Sequence, residues 1–273
     1  MAGYTAADVK RLREETDAPM MECKAALEEA GGDYERAKEI LREKGKAAAG
    51  KKAGRATSAG VVAFATSPDG KTLAGAVVES ETDFVSNNEE FVRMAQEVAD
   101  YVLANGAPEG NPMDDPKFKE LADNIIAKFR ENVQITKAVL IKSDSPIVSY
   151  VHHNKTVGTA ITSEGDNAGT EAVRKVAVHA AAFPPEVVSK DQLSQEKLES
   201  ELELETKRAI EEGKDEKIAR NIAQGRVNKE FVKKVVLLEQ PFYIDPSKTV
   251  AQYLAEEAKG AKITGFVFLA VGQ

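Results

Sequence analysis

Between Gly45 and Gly60 the chain contains only Gly, Ala, Ser, Thr, Lys and Arg. Lacking any large apolar side chain, this stretch has nothing to bury, so it divides the chain into a short N-terminal module and a longer body. The composition predicts a basic, flexible linker over 45–60, partly helical at most. Within it, Gly45-Lys46-Ala47-Ala48-Ala49-Gly50-Lys51 has the form of the opening of a phosphate-binding loop. Lys52 stands where that loop needs a magnesium-binding Ser or Thr, and a helical pattern rather than a buried strand precedes it, which excludes the reading.

Three helical patterns fill residues 1–44. Thr5 is placed to cap the first, whose apolar face carries Ala6, Val9 and Leu12. Met20 and Met21 open the second, which continues through Cys23, Ala26 and Leu27 to Gly31-Gly32. Asp33 caps the third, with Tyr34, Ala37, Ile40 and Leu41 on its apolar side and Gly45 at its end. So small a bundle encloses little apolar area, and one of its faces is expected to serve a partner.

Downstream, the β-type runs 61–66 and 72–78 flank the turn Ser67-Pro68-Asp69-Gly70, which predicts a hairpin. Helical patterns follow over 87–104 and 116–131, then strands over 133–141, 147–153 and 156–162. A helix over 168–182 is stopped by Pro184-Pro185, and two charged helical stretches, 191–212 and 215–229, turn around Gly213-Lys214. A helix over 247–259 and a strand over 263–271 end the pattern. Strands and helices recur without the regular spacing of βαβ units, so the fold class is α+β. The organisation expected is a helical module over 1–44, the linker, one core subdomain over 61–140, and a related one over 141–188 and 230–273. A helical hairpin is inserted over 189–229; its apolar residues Leu193, Leu198, Leu202, Ile210, Ile218 and Ile222 suffice for one seam, so it should protrude.

Of the 273 residues, 42% are hydrophobic and 30% charged, enough apolar material for buried cores. Lys+Arg number 37 against 45 Asp+Glu, a formal net charge of -8, which is a poor balance for covering phosphate backbone. Direct nucleic-acid binding is therefore not expected. The single cysteine, Cys23, allows no internal disulfide and no thiolate cluster for zinc. The N-terminal segment lacks the apolar stretch of a secretory signal, and no apolar run approaches the about 20 residues of a membrane helix, so a cytoplasmic location is expected.

Catalytic chemistry has few candidates. Cys23 shares its helix with Met21, Ala26 and Leu27, as a buried thiol would. His179 lies among valines and alanines and reads as a packing histidine, whereas His152, beside His153 at a strand end, is open to either a loop role or a partner contact. Neither supplies the further ligands of a metal site. Glu79, Glu81 and Asp83 offer carboxylates without a pocket signature. In Glu81-Thr82-Asp83-Phe84-Val85-Ser86-Asn87 a large aromatic and a valine sit among polar residues where strand gives way to helix. Phe84 is either a plug of the local core or a wedge projecting into an interface.

Several ordered motifs give the chain a resemblance, over nearly its full length, to the elongation factor Ts family. They are Met20-Met21-Glu22-Cys23-Lys24, Gly31-Gly32-Asp33, Thr82 to Val85, Ser149-Tyr150-Val151-His152, Val178-His179-Ala180-Ala181, Gln224-Gly225-Arg226, Gln240-Pro241-Phe242, and Asp245 to Val250. The resemblance implies a ubiquitin-associated-like N-terminal domain, a coiled-coil hairpin, and guanine-nucleotide exchange on elongation factor Tu, with no bond made or broken, no cofactor and no metal. It makes Phe84 the wedge, entering the partner's nucleotide domain with Asp83 near the magnesium site. Thr82 and Val85 flank that pair. Further contacts implied are Leu12, Met20, Met21 and Lys24 in the N-terminal domain, and Phe129, His152, Tyr243 and Ile244 in the body. Asp17-Ala18-Pro19, Arg130 and His153-Asn154-Lys155-Thr156 depart from the family's usual glycine-rich pattern. The rival expectations are an interaction module of the ubiquitin-associated type without exchange activity, and an enzyme using Cys23 or His152.

Overall fold

The computed structural model describes residues 3–16, 18–52 and 54–273. Asp17, in one of the motifs above, lies outside the described residues, as do the side chains of 46–51 and with them two of the linker's four basic residues, Lys46 and Lys51.

The N-terminal module is built of α1 (Ala6–Thr16), α2 (Met20–Glu29) and α3 (Tyr34–Lys52). Thr5 and Asp8 close the start of α1 reciprocally: the Thr5 amide donates to Asp8 Oδ2 at 2.7 Å, and the Asp8 amide to Thr5 Oγ1 at 3.3 Å. Asp33 accepts from the Arg36 amide and so starts α3. Val9, Leu12, Cys23, Ala26, Leu27, Ala37, Ile40 and Leu41 form the small core.

The expected break at Gly45 does not occur. α3 runs on through the alanine-rich stretch to Lys52, because Ala and Lys favour helix and the helix has a surface to lie on. That surface is α6 (Pro116–Phe129), where an added Cβ at Gly45 would stand 3.1 Å from Ala127 Cβ. Arg42 pairs with Glu120 at 3.0 Å across the same contact. The N-terminal module is thus docked on the body, and only a short connection separates α3 from the first strand.

The body contains two antiparallel sheets. The first has the order β1 (Ala59–Thr66), β2 (Thr72–Ser80), β3 (Val133–Lys142). The second has the order β4 (Val148–Val151), β5 (Val157–Glu164), β6 (Lys262–Ala270). Alternation along the strands sends Val61, Ala63 and Ala65 of β1 towards α5 (Glu89–Asn105) and α6, in a core with Phe91 and Phe118. Val62, Val77 and Leu269 meet between the two sheets. The second sheet turns Val148, Ile161 and Ile263 to α7 (Glu171–Ala182) and to α11 (Val250–Glu257) beyond the hairpin. The result is helices, sheet, sheet, helices. Phe64 fills the middle only because two facing positions are glycine: a Cβ at Gly75 would lie 2.7 Å from its ring, and one at Gly158 would lie 2.8 Å from it.

Between α7 and α11 the chain extends as α8 (Gln195–Glu211) and α9 (Glu216–Arg226), followed by a π-helical stretch, Val227–Val232, and the single turn α10 (Lys233–Val235). The seam expected of the hairpin is corrected in part. Ala209, Ala219 and Ala223 are the buried seam residues, while Ile210 and Ile218 project outward, because alanines let the helix backbones approach and leave longer chains no room between them. Glu205 is also buried there, bonded to Arg208 at 2.5 Å and 3.6 Å from Arg226, which in turn grips Glu212 with both of its terminal nitrogens. Leu193, Val227, Val232, Val235 and Val236 form a separate cluster at the base. Replacing residues 195–226 by a short Gly/Ser loop is expected to shift the melting temperature by no more than about 5 °C, because the helices pack on each other and on that base. Scanning calorimetry of the loop variant checks this.

Candidate functional site

Strand β2 ends at Ser80, and after two residues the chain forms the single-turn helix α4 (Asp83–Ser86). Thr82 occupies the cap position in extended conformation but makes no cap hydrogen bond. Its hydroxyl donates instead to Glu131 Oε1 at 2.6 Å and its amide to Glu131 Oε2 at 3.0 Å. Glu81 is pinned by the Asn132 amide at 2.6 Å, which, more than the nearby Arg55, lowers its pKa. Ser86 is buried and Val85 packs on the first core, so the turn is anchored on its inner side. Phe84 points the other way and is 87% exposed.

Of the two readings of Phe84, the plug of the core is thereby removed. Asp83 is exposed beside it and has no side-chain hydrogen bond among the described residues, so local bonds from Asp83 do not orient the loop; Glu131 does. Glu79 is buried and accepts from Thr57, Thr136 and the Gly272 amide, a structural arrangement rather than a proton-transfer site. Among the described residues no cluster of His, Cys, Asp or Glu could hold a metal.

In the N-terminal module Met20 and Met21 are 43% and 71% exposed at the start of α2, with Lys24 exposed one turn on. Leu12 is fully buried in the module's core, which corrects its assignment as a contact: its periodicity with Val9 marks the inner face. Phe129, half-buried at the end of α6, packs edge-on to Phe91 with ring centres 5.7 Å apart.

The remaining candidates belong to the second sheet. His152 Nδ1 is 2.8 Å from the Tyr150 hydroxyl at the end of β4. Tyr243 and Ile244 are exposed on a loop whose neighbour Phe242 is buried and stacked on Tyr253 at 3.9 Å. Burial, with Tyr150 nearby, raises the pKa of Tyr243. The candidates therefore fall into two groups: Met20, Met21, Lys24, Thr82 to Val85 and Phe129 around the first sheet, and His152, Tyr243 and Ile244 on the second. The sequence reading missed Phe183, 52% exposed beside Tyr243 in a cleft of about 480 Å³ that Lys233 and Lys234 also line. Pro184-Pro185 was legible only as a helix stop. Among the described residues two that are not glycine have left-handed backbone, Arg130 and Lys155, each at φ 60, and both stand at departures from the glycine-rich pattern, so the backbone shape is kept there without the glycine.

Residues 81–273 match the family described as Elongation factor TS. The chain belongs to the elongation factor Ts family. It is 38% identical to Elongation factor Ts of Thiobacillus denitrificans, covering 100% of this chain and 93% of that protein. It is 40% identical to Elongation factor Ts of Corynebacterium urealyticum over the whole of both chains, and 40% identical to that of Nitratidesulfovibrio vulgaris over 93% of this chain and 90% of the other. Membership in the elongation factor Ts family makes this chain a translation elongation factor. No described helix is long and apolar enough to cross a membrane.

Proposed function

We propose that this elongation factor Ts homologue promotes release of GDP from elongation factor Tu, acting through non-covalent binding in the cytoplasm. The observation that carries this reading is Phe84: a phenylalanine left 87% exposed on a turn that Val85 and Ser86 anchor from inside. Exposing a large aromatic ring is unfavourable in the free protein, and a pocket on a partner repays it. Binding that favours the nucleotide-free partner must, by reciprocity, lower the partner's affinity for GDP. Met20 and Met21 supply a second, adaptable apolar contact, and Tyr243 with Ile244 a third.

Release of a fluorescent GDP analogue from elongation factor Tu, with and without this protein, tests the reading; no acceleration at saturating protein refutes it. A chain lacking residues 1–52 is expected to need higher concentration for the same effect while reaching a comparable saturating rate, since the methionine patch adds binding area away from the wedge. Loss of the saturating rate in that truncation would instead place the N-terminal module in the exchange step.

A further inference from the structure

The connector between α6 and β3 consists of Arg130, Glu131 and Asn132, and each holds a different part of the candidate surface. Arg130 Nη2 bonds Glu22 Oε2 at 2.6 Å, one residue beyond Met21 on α2, and the Arg130 carbonyl accepts from the Lys52 ammonium at the end of α3. Glu131 grips Thr82 by both carboxylate oxygens. Asn132, 1% exposed, donates from its amide to Glu81 and from its side chain to the Arg55 carbonyl, each at 2.6 Å. The two patches meet at three consecutive residues.

Arg130 is locally unfavourable on two counts. Its backbone is left-handed at φ 60, where glycine is at ease, and its Nε is buried without a hydrogen-bond partner. What its side chain supplies lies elsewhere, at Glu22. Residues that break local rules while reaching across elements mark functional constraint. We infer that Arg130 and Glu131 are positioning residues: Arg130 latches the methionine patch, Glu131 sets the Phe84 wedge, and their adjacency presents both to one partner in a fixed frame. The inference about the partner rests on the exchange reading above; the latch itself does not.

Arg130→Gly separates the roles, because it relaxes the backbone and removes only the guanidinium. In the free protein, hydrogen exchange in α2 and at the α3–α6 contact should quicken in Arg130→Gly and in Glu22→Gln; unchanged protection in both would overturn the latch whatever the protein does to elongation factor Tu. In GDP-release titrations, each variant should raise the half-saturating concentration by about five-fold, the size of one partly exposed ion pair, with the saturating rate unchanged. The double variant should be no worse than either single one, and Arg130→Lys should recover part of the loss. Met21→Ala should cost affinity in the parent and much less in Arg130→Gly, since an unlatched patch contributes little. Glu131→Gln should lower the saturating rate. Independent, additive effects of Met21→Ala and Arg130→Gly would overturn the fixed frame. A parent protein that does not accelerate GDP release from elongation factor Tu would defeat the exchange reading alone, leaving the latch to the hydrogen-exchange result.

Discussion

Phe84→Ala is expected to leave the melting temperature of the free protein within a degree or two of the parent while sharply reducing GDP release from elongation factor Tu. A core phenylalanine would lose about 3–5 kcal/mol on truncation, through lost transfer energy and the cavity left behind. Phe84 has no such enclosure: it is 87% exposed, and the neighbours that hold the turn, Val85 and Ser86, stay in place. Substitutions at such positions fall within about 0.5 kcal/mol. At an interface the same truncation should cost on the order of 2–4 kcal/mol, which is roughly thirty-fold to several-hundred-fold in affinity for the nucleotide-free partner. Asp83→Ala should do less, since that carboxylate makes no bond that shapes the loop. Two measurements decide the matter, a thermal melt and a nucleotide-release rate. Undiminished release at unchanged stability would remove Phe84 from the mechanism.

Much of this surface was legible in sequence, and the parts that were not share a physical reason. Helix α2 and the turn at α4 announce themselves locally, because an apolar residue set among polar ones at a helix start either plugs or projects, and only burial separates the two. Leu12 shows the limit from the other side: its spacing from Val9 fixes a face of α1 but not which face a partner sees, and the structure turns it fully inward. The hairpin seam was misread at Ile210 and Ile218 because hydrophobicity ranks isoleucine above alanine, while close helix approach selects the small residue. The continuation of α3 through the alanine-rich stretch depends on α6, some eighty positions away in sequence, and a local reading has no access to that support. Glu131 was invisible for the same cause. Nothing in its neighbourhood marks a residue whose partner is Thr82, brought beside it by the pairing of β2 with β3.

His179 carries the second large effect, on the C-terminal half of the surface. Its ring is fully buried, Nε2 lies 2.8 Å from Gln240 Oε1, and Gln240 spends its own amide hydrogens on the carbonyls of Lys234 and Phe183. The rings of Phe183, Phe242 and Tyr243 stand 5.2, 5.7 and 6.1 Å from it, so the histidine braces the loop that presents Tyr243 and Ile244. His179→Ala opens a cavity and strips Gln240 of a partner, which together should cost about 3–5 kcal/mol and roughly 6–20 °C in melting temperature. Burial lowers the pKa of His179, opposed only in part by the Gln240 bond. With the folded value below the ordinary one, the unfolded chain takes up a proton first as pH falls below about 6.5, so stability is fully present above that pH and declines beneath it until the folded pKa is reached. Subtracting the pH profile of His179→Gln, which does not titrate, from that of the parent should isolate this decline. A difference that stayed flat from neutral pH to pH 5, or that rose on acidification, would show that His179 is not held neutral by burial, and a His179→Ala protein that melted within a degree or two of the parent would remove it as the brace of this loop.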